Sequence, residues 1–273
     1  MSLLVKKNLV IIFSSDKLTG AQNISEDNSS FSVTLNSPLK IPSSAVDCSL
    51  AVINASVWND AANISPFYDN NVFSITSGGI NHLIAFDEGL YSLDNLQSAL
   101  SQKLVNLGLA SNLVVLSADN ATSKVVITLL TIGTIVRFDN VASIGSILGF
   151  TTSHTSTVAN QSFYGDDPAE FNRVNSFLIT SDIISNGIPI NSSARGIIST
   201  IPINAAAGHQ CNYDPTNAIW ADASELVGFS KQNLNFQLRD QSLRLVSTNE
   251  IYSFTVNIRY SILMRNEKVP MKP

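Results

Sequence analysis

Histidine, cysteine and charge are scarce in this chain. Its 273 residues include 3 histidines and 2 cysteines, and charged residues make up 14%, against about 25% in an average soluble protein. None of the histidines (His82, His154 and His209) has other ligand-type residues at a spacing that gathers them around a metal, and His209 with Cys211 is only a weak pair. The sequence therefore predicts no metal site.

Catalytic motifs are also missing. The chain contains no G-x-S-x-G, no phosphate-binding or dinucleotide-binding glycine pattern, and no D-x-D-x-D calcium loop. The adjacent carboxylates Asp87-Glu88 and Asp166-Asp167 resemble a glycosidase pair only superficially, because neighbours in a strand point to opposite faces and neighbours in a loop usually face water. We predict a protein that is not an enzyme, without catalytic residues or cofactors.

The balance of charge and the length of the apolar runs exclude two further classes. The net charge is −5, and Lys6-Lys7 is the densest basic pair in the body of the chain, which argues against nucleic-acid binding. No apolar run approaches the roughly 18–20 residues of a membrane helix, and the run 9–13 is too short for a signal peptide. We expect a soluble, unprocessed protein that is made inside the cell.

The two cysteines do not form a disulfide scaffold, since two in a chain of this length are too few. Cys48 lies in an alternating apolar run, which indicates a small buried hydrophobic residue. Whether it pairs with Cys211 is left open by the sequence.

The clearest pattern that is present lies near the end of the chain, over 251–263. Side chains alternate between the two faces of a strand, so a period of two predicts a long strand with one buried face. The predicted buried face consists of Tyr252, Phe254, Val256, Ile258, Tyr260, Ile262 and Met264. We expect this strand to lie centrally in a sheet.

Seven further segments read as strands, which indicates an all-β fold. Eight antiparallel strands in two packed sheets is the number found in a jelly roll, although a sandwich of another topology fits the pattern equally well. The predicted strands are 8–14, 31–37, 46–57, 176–184, 196–203, 234–239, 243–247 and 251–263.

The middle of the chain has a different character. Leucines recur at helical spacing from Leu93 to Leu107, with Ser92 as the N-cap and Gly108 as the stop, and a second, shorter helix is predicted over 141–148. Short strands surround these helices. We therefore predict a single jelly-roll β-sandwich, formed by residues 1–65 and 151–273, into which a small unit of strands and helices is inserted at 66–150. Residues 151–170 and 204–232 are predicted to be irregular.

Four residues near predicted strand ends and in the irregular arm are candidates for an interface: Trp58, Tyr213, Pro215 and Trp220. Tryptophan and tyrosine are enriched where proteins contact one another. Two interpretations stay open, because such rings also cap the ends of β-sandwiches.

An ordered series of short motifs resembles the penton (minor capsid) proteins of virophages and polinton-like viruses. It begins with Gly89-Leu90-Tyr91, Leu96 and Leu100, and continues with the I-L-G-F ending of 143–150. Downstream, Tyr213-Asp214-Pro215 with Trp220 and the closing segments LNFQLRDQ and EIYSFTVNIRY are similar as well.

This resemblance implies a single jelly roll that closes the fivefold vertices of an icosahedral capsid as a homopentamer. The implied partners are copies of itself, a double-jelly-roll major capsid protein, and other minor capsid or spike proteins. The implied location is the capsid vertex of the virion, after synthesis in the host cytoplasm. Adenovirus penton bases are distant relatives that carry an Arg-Gly-Asp loop. This chain has Arg195-Gly196-Ile197 instead, so integrin-type binding is not implied.

Two other functions are compatible with a β-rich chain that has little charge. A trimeric fibre or receptor-binding virion protein is one, although neither heptads nor a repetitive shaft is present. A carbohydrate-binding or hydrolytic jelly-roll protein is the other, and it would need a cleft with aromatic residues and paired carboxylates.

Overall fold

The computed structural model describes residues 2–190 and 193–265. The chain forms two compact units: one contains the residues up to Asp60 and those from Val174 onward, and the other is the continuous segment Ala61–Arg173. Strands are numbered along the chain.

The first unit is built from two antiparallel sheets. The first sheet has the order β1-β19-β4-β16, and β17 pairs with β4 beside β16. The second has the order β15-β12-β18-β3-β2. The strands are β1 (Ser2–Ser14), β2 (Ala21–Gln22), β3 (Ser30–Lys40), β4 (Ala45–Trp58), β12 (Ser176–Ser181), β15 (Ile197–Pro202), β16 (Gln210–Tyr213), β17 (Ala221–Asp222), β18 (Ser230–Arg239) and β19 (Ser253–Arg265), with a separate hairpin of β13 (Asn186–Ile190) and β14 (Ser193–Arg195) and short 3-10 turns at Lys17–Thr19 and Ser224–Leu226.

The order of these strands confirms the predicted fold class. If the two-residue strands and the β13–β14 hairpin are set aside, the first sheet joins the first, eighth, third and sixth strands of the unit, and the second joins the second, seventh, fourth and fifth. Two antiparallel sheets connected in this way form a jelly roll. The inserted segment lies between the third strand, β4, and the fourth, β12.

Aromatic rings fill the space between the two sheets. Phe13 of β1 and Phe254 of β19 come from the first sheet, and they contact Phe236 of β18 with ring centroids 4.5 Å and 5.1 Å away. Phe31 of β3 lies 5.2 Å from Phe236 and 5.6 Å from Tyr252. All five side chains are almost completely buried. This cluster joins the sheets into one core, since each ring adds a large apolar area to it.

The buried face of the last strand differs from the predicted one at its far end. Tyr252, Phe254, Val256 and Ile258 are buried. Tyr260 and Ile262 are half-buried and Met264 is exposed. The register between β19 and β4 shifts after Ser261. The extra residue at this shift is Val46 of β4, while β19 stays in unbroken register with β1 and keeps its alternation of faces. The pairing with β4 ends at Ile262, so the last residues of β19 have fewer neighbours, which accounts for the exposure of Met264.

One predicted strand is absent, and another strand replaces it. Residues 243–247 make only an isolated bridge, between Leu245 and Arg239. Asp240 accepts hydrogen bonds from the backbone N–H groups of Ser242 and Arg244, which folds this segment into a turn, and Leu243 has a left-handed backbone with φ +66°. The sixth strand of the jelly roll is instead β16, inside the arm predicted to be irregular.

The second unit has its own sheets, helices and core. One sheet has the order β10-β9-β5-β6, and the other β11-β8-β7. The elements are β5 (Val72–Ser77), β6 (Ile80–Ala85), α1 (Leu93–Asn106), β7 (Val114–Asp119), β8 (Lys124–Leu129), β9 (Ile135–Arg137), α2 (Gly145–Leu148), β10 (His154–Thr155) and β11 (Gln161–Tyr164), with a 3-10 turn at Pro66–Tyr68.

Local signals account for α1. The Ser92 hydroxyl accepts a hydrogen bond from the Asn95 backbone N–H, as expected for an N-cap. Leu96, Leu100 and Leu104 form the buried stripe of the helix, and Gly108 follows the helix with φ +75°. The second helix is shorter than predicted, because α2 covers only the last turn of 141–148.

The inserted unit extends beyond its predicted bounds of 66 and 150. Residues 151–173 belong to it, since β10 pairs with β9 and β11 pairs with β8 over 161–164. These strands were predicted to be a surface loop because their apolar residues are few and do not alternate. Pairing with β8 and β9 supplies the backbone hydrogen bonds that the local sequence does not predict.

His154 of β10 is held in an aromatic setting inside the second unit. Its ring stacks on Phe163, with centroids 4.7 Å apart, and meets the edge of Phe150 at 5.5 Å. Burial lowers the pKa of His154, and the nearby carboxylate of Asp166 opposes this only in part. The neutral imidazole is therefore the form that the folded unit favours.

We expect acid to destabilise this unit through His154. As the pH falls, His154 of the unfolded chain takes up a proton near its ordinary pKa of about 6.5, whereas His154 of the folded chain does so only at a lower pH. The stability of the unit is therefore fully present above that pH and decreases below it. Hydrogen exchange of the second unit between pH 7.5 and 5 measures the effect. His154→Phe removes it, while the matched variant His82→Gln retains it. An unchanged pH profile in His154→Phe would contradict this assignment.

Candidate assembly surface

The four residues predicted to form an interface are spread along one edge of the first sheet. Trp58 is at the end of β4, opposite Gln210 of β16, and is half-buried. Trp220 directly precedes Ala221, which pairs with Leu50 near the other end of β4. Eight positions of strand separate the two sites, which is about 26 Å. The structure therefore does not bring Trp58 and Trp220 into one patch.

Trp220 has a partner within its own chain. The guanidinium carbon of Arg259 lies 3.5 Å from the centre of the Trp220 ring, a cation–π contact. Tyr213 ends β16 opposite Ala55, and Pro215 follows two residues later; both are half-buried. The arm 214–220 thus connects β16 to β17 along the edge of β4. Its role in contacts with other molecules stays a prediction.

Residues that pair across the first sheet form two rows on the face opposite to Phe254 and Ile258; both ends of the first row are exposed, and its middle member, Ser261, is buried. In the first row, Lys6 of β1 is opposite Ser261 of β19, and Ser261 is opposite Asp47 of β4. This row crosses the sheet from a lysine at one edge to an aspartate at the other. Lys6 and Asp47 are both exposed.

The second row lies directly beside the first. It runs from Asn8 through Arg259 and Ser49 to Asp222 of β17. The last side chain of this row, that of Asp222, is again an exposed carboxylate. Hydrogen bonds from the side chain and backbone of Ser224 lower the pKa of Asp222, which keeps it ionised.

Asp47 and Asp222 are close enough to each other for both of their charges to affect the pKa of the same buried thiol, that of Cys48. Burial raises the pKa of Cys48 to about 11, and the charges of Asp47 and Asp222 add to this effect. Cys48 and Cys211 are both buried and free, so no disulfide joins them. The edge of the sheet at β4 and β17 therefore carries two neighbouring carboxylates, while the Arg259 guanidinium on the same side of the sheet is taken up by the Trp220 ring.

The opposite edge of the sheet, β1, is unusually apolar for an exposed strand. It pairs only with β19 among the described residues. Val10 and Ile12 on its outer side are 55% and 74% exposed. A groove of about 540 Å³ lies between β1 and β3, and the residues that line it include Leu9, Ile11 and Leu39. A long edge strand with exposed apolar side chains is typical of a surface that another chain covers.

Sequence reasoning missed this charged and apolar surface. Lys6, Asp47 and Asp222 are far apart in the chain, and only the order β1-β19-β4-β17 places them in adjacent rows. The signal in the sequence is the Lys6-Lys7 pair, two charges within an otherwise largely apolar strand.

The weak pair His209 and Cys211 is not brought together as a metal site by the structure. In 2–190 and 193–265 no group of three or more His, Cys, Asp or Glu residues is arranged to hold a metal ion. His209 is exposed and its ring lies 3.1 Å from the carbonyl of Ala207, whereas Cys211 is buried. Within the same ranges, no helix is both long and apolar enough to cross a membrane.

Comparison with known proteins finds similarity at the level of structure. No family model matches the chain, and no curated protein matches it either. Among solved structures, the mavirus penton protein is similar, with 11% sequence identity and a TM-score of 0.45. The similar region covers 94% of this chain and 100% of the mavirus chain.

Proposed function

We propose that this protein is a viral structural protein, a penton or minor capsid protein that closes the fivefold vertices of an icosahedral capsid as a homopentamer. The observation that carries the proposal is the edge of the jelly roll at β1, where apolar side chains and unpaired backbone groups face outward. A sandwich that leaves such an edge uncovered is suited to assembly, since an isolated protein gains stability when this surface is buried.

The sequence adds independent support. Its short motifs resemble penton proteins, and one of them, the I-L-G-F ending, has a structural reason in this chain. Gly149 of that motif has φ +78° and lies so close to the Asp167 carbonyl that a side chain would collide with it. The proposed partners are other copies of this chain, the double-jelly-roll major capsid protein, and further minor capsid or spike proteins.

Light scattering over a series of protein concentrations tests the stoichiometry. The expected result is a discrete species of five chains, because cyclic homo-oligomers close with a fixed number of subunits. A mass of three chains would contradict the pentamer and favour a trimeric fibre or receptor-binding protein.

Composition of purified virus particles is the second measurement, for the case in which the isolated chain is monomeric and assembles only beside its capsid neighbours. We expect five copies for each vertex. Absence of the chain from particles, together with a monomeric mass, would refute the proposed function. Binding to a glycan array in the same monomeric state would then favour the carbohydrate-binding jelly roll.

A further inference from the structure

We propose that neighbouring copies of this chain associate side by side through the two edges of the first sheet, with Lys6 of one copy against Asp47 and Asp222 of the next. This inference rests on the proposed function, since it locates the contact that would build the ring. It assigns the contact to the charged rows rather than to the aromatic arm.

Lys6 and Asp47 have no ion-pair partner among the described residues. They belong to the same row, but Ser261 separates them, and three adjacent strands place their backbones about 10 Å apart. Each charge is therefore exposed at its own edge and available to an opposite charge on another molecule.

The distribution of charge over the sheet identifies the occupant as a second copy. The edge strand β1 contains Lys6 and Lys7 but no carboxylate. The strands β4 and β17 contain Asp47 and Asp222 but neither lysine nor arginine. Two like edges would repel each other, whereas unlike edges attract. The sheet is thus complementary to itself when copies are arranged head to tail.

A head-to-tail contact has a direct consequence for symmetry. It uses different surfaces on the two subunits, so every copy keeps one unused edge until the chain of contacts closes into a ring. A two-fold dimer would instead join identical edges, and the charges oppose that arrangement.

Apolar residues flank the charges on both edges. Leu4, 48% exposed, lies two residues from Lys6 on the same side of β1, and Val46, 54% exposed, adjoins Asp47. The backbone of β4 is covered there by the segment that follows β17, since the Ala223 N–H donates a hydrogen bond to the Cys48 carbonyl. The side chains of Val46 and Asp47, rather than the backbone, are therefore the groups available to a neighbouring copy. Burial of these apolar groups supplies attraction, while the charges determine which edges meet.

Charge exchange tests the contact in the full chain. We expect Lys6→Glu and Asp47→Lys each to raise the concentration needed for half-assembly by about tenfold or more, because each change places like charges at every contact of the ring. The double variant Lys6→Glu/Asp47→Lys restores the attraction between positions 6 and 47 with reversed polarity, and the like charge of Asp222 is the part that it leaves uncompensated. Its half-assembly concentration should return to within about threefold of the wild-type value.

Two control variants separate the local contact from general effects of charge. Lys17→Glu changes the net charge as Lys6→Glu does, but lies in the turn after β1, and we expect no effect on assembly. Asp214→Lys changes the arm near Tyr213 and is likewise expected to have none. Circular dichroism confirms that all variants are folded. If Asp214→Lys prevents assembly and Asp47→Lys does not, the contact lies at the arm and this inference is wrong.

The readout depends on how the wild type assembles, and this keeps the inference separate from the proposed function. When the isolated wild type forms a ring, the mass of the variants is measured. When it assembles only in particles, incorporation of the variants is measured. If the wild type and all variants assemble equally well, the edge contact is refuted but the proposed function is not. A wild type that neither forms a ring nor enters particles refutes the proposed function.

Discussion

Phe236→Ala is expected to destabilise the jelly roll by about 3–5 kcal/mol, the usual cost of removing a buried phenylalanine side chain. Phe236 is fully buried between the two sheets and contacts the rings of Phe13, Phe31 and Phe254. Its loss leaves a cavity at the point where the sheets meet, and the three neighbouring rings lose part of their packing. Urea denaturation followed by hydrogen exchange of β18 and β19 measures the effect.

Phe229→Ala is the matched control for this prediction. Phe229 precedes the same strand, β18, but its side chain is 68% exposed. Replacing an exposed side chain usually changes stability by no more than about 0.5 kcal/mol. If the two variants were destabilised equally, the aromatic cluster would not be the centre of the core.

Gly149→Ala is expected to destabilise the inserted unit by about 3 kcal/mol, as the sum of a strained backbone and a steric clash. Gly149 follows α2 with φ +78°, a conformation that L-amino acids other than glycine rarely adopt. An added Cβ would lie 2.1 Å from the carbonyl oxygen of Asp167. The clash is with the backbone, which cannot move aside as a flexible side chain can.

Gly79→Ala separates the two contributions. Gly79 has nearly the same backbone angle, φ +80°, but open space where the Cβ would be. Only the backbone term applies there, and it costs about 1 kcal/mol. Hydrogen exchange of peptides from the inserted unit, compared between the two variants, measures the difference. If both variants lost the same stability, the Asp167 backbone would have to be able to move away from the added Cβ.

Local patterns in the sequence were enough to predict the class of fold. The buried face of β19 from Tyr252 to Ile258 follows from alternation, and α1 follows from its leucine spacing and its Ser92 cap. Both signals lie within a few residues of chain. The same is true of Gly149, whose position at the end of an apolar helical turn indicates a stop.

The pairing of distant segments could not be predicted in the same way. β16 has only four residues, and although Gln210 and Asn212 alternate with Cys211 and Tyr213, a pattern this short does not stand out among the turn residues around it. Its partner β4 lies about 150 residues earlier. The segment 243–247 shows the reverse error. It alternates in sequence, but Asp240 and the left-handed backbone of Leu243 turn it out of the sheet.

The candidate assembly surface depends on such distant pairing throughout. Lys6 and Asp47 are unremarkable as single residues, and their relation appears only when β19 is placed between β1 and β4. Trp220 was identified by its residue type, and the structure adds that it packs on Arg259 of its own chain. Residue type indicated which side chains are suited to contacts, whereas topology determined where they lie.

The pairing of β1 with β19 also affects the order in which the protein forms during translation. β1 leaves the ribosome early, but its only partner in the described sheets is made last among them. The inserted segment Ala61–Arg173 is continuous and contains its own core, so it can fold while the jelly roll is still incomplete. During this interval the apolar side chains of β1 are exposed along their full length. We therefore expect truncation before β19 to leave an aggregation-prone strand, because the side of β1 that β19 covers then stays open.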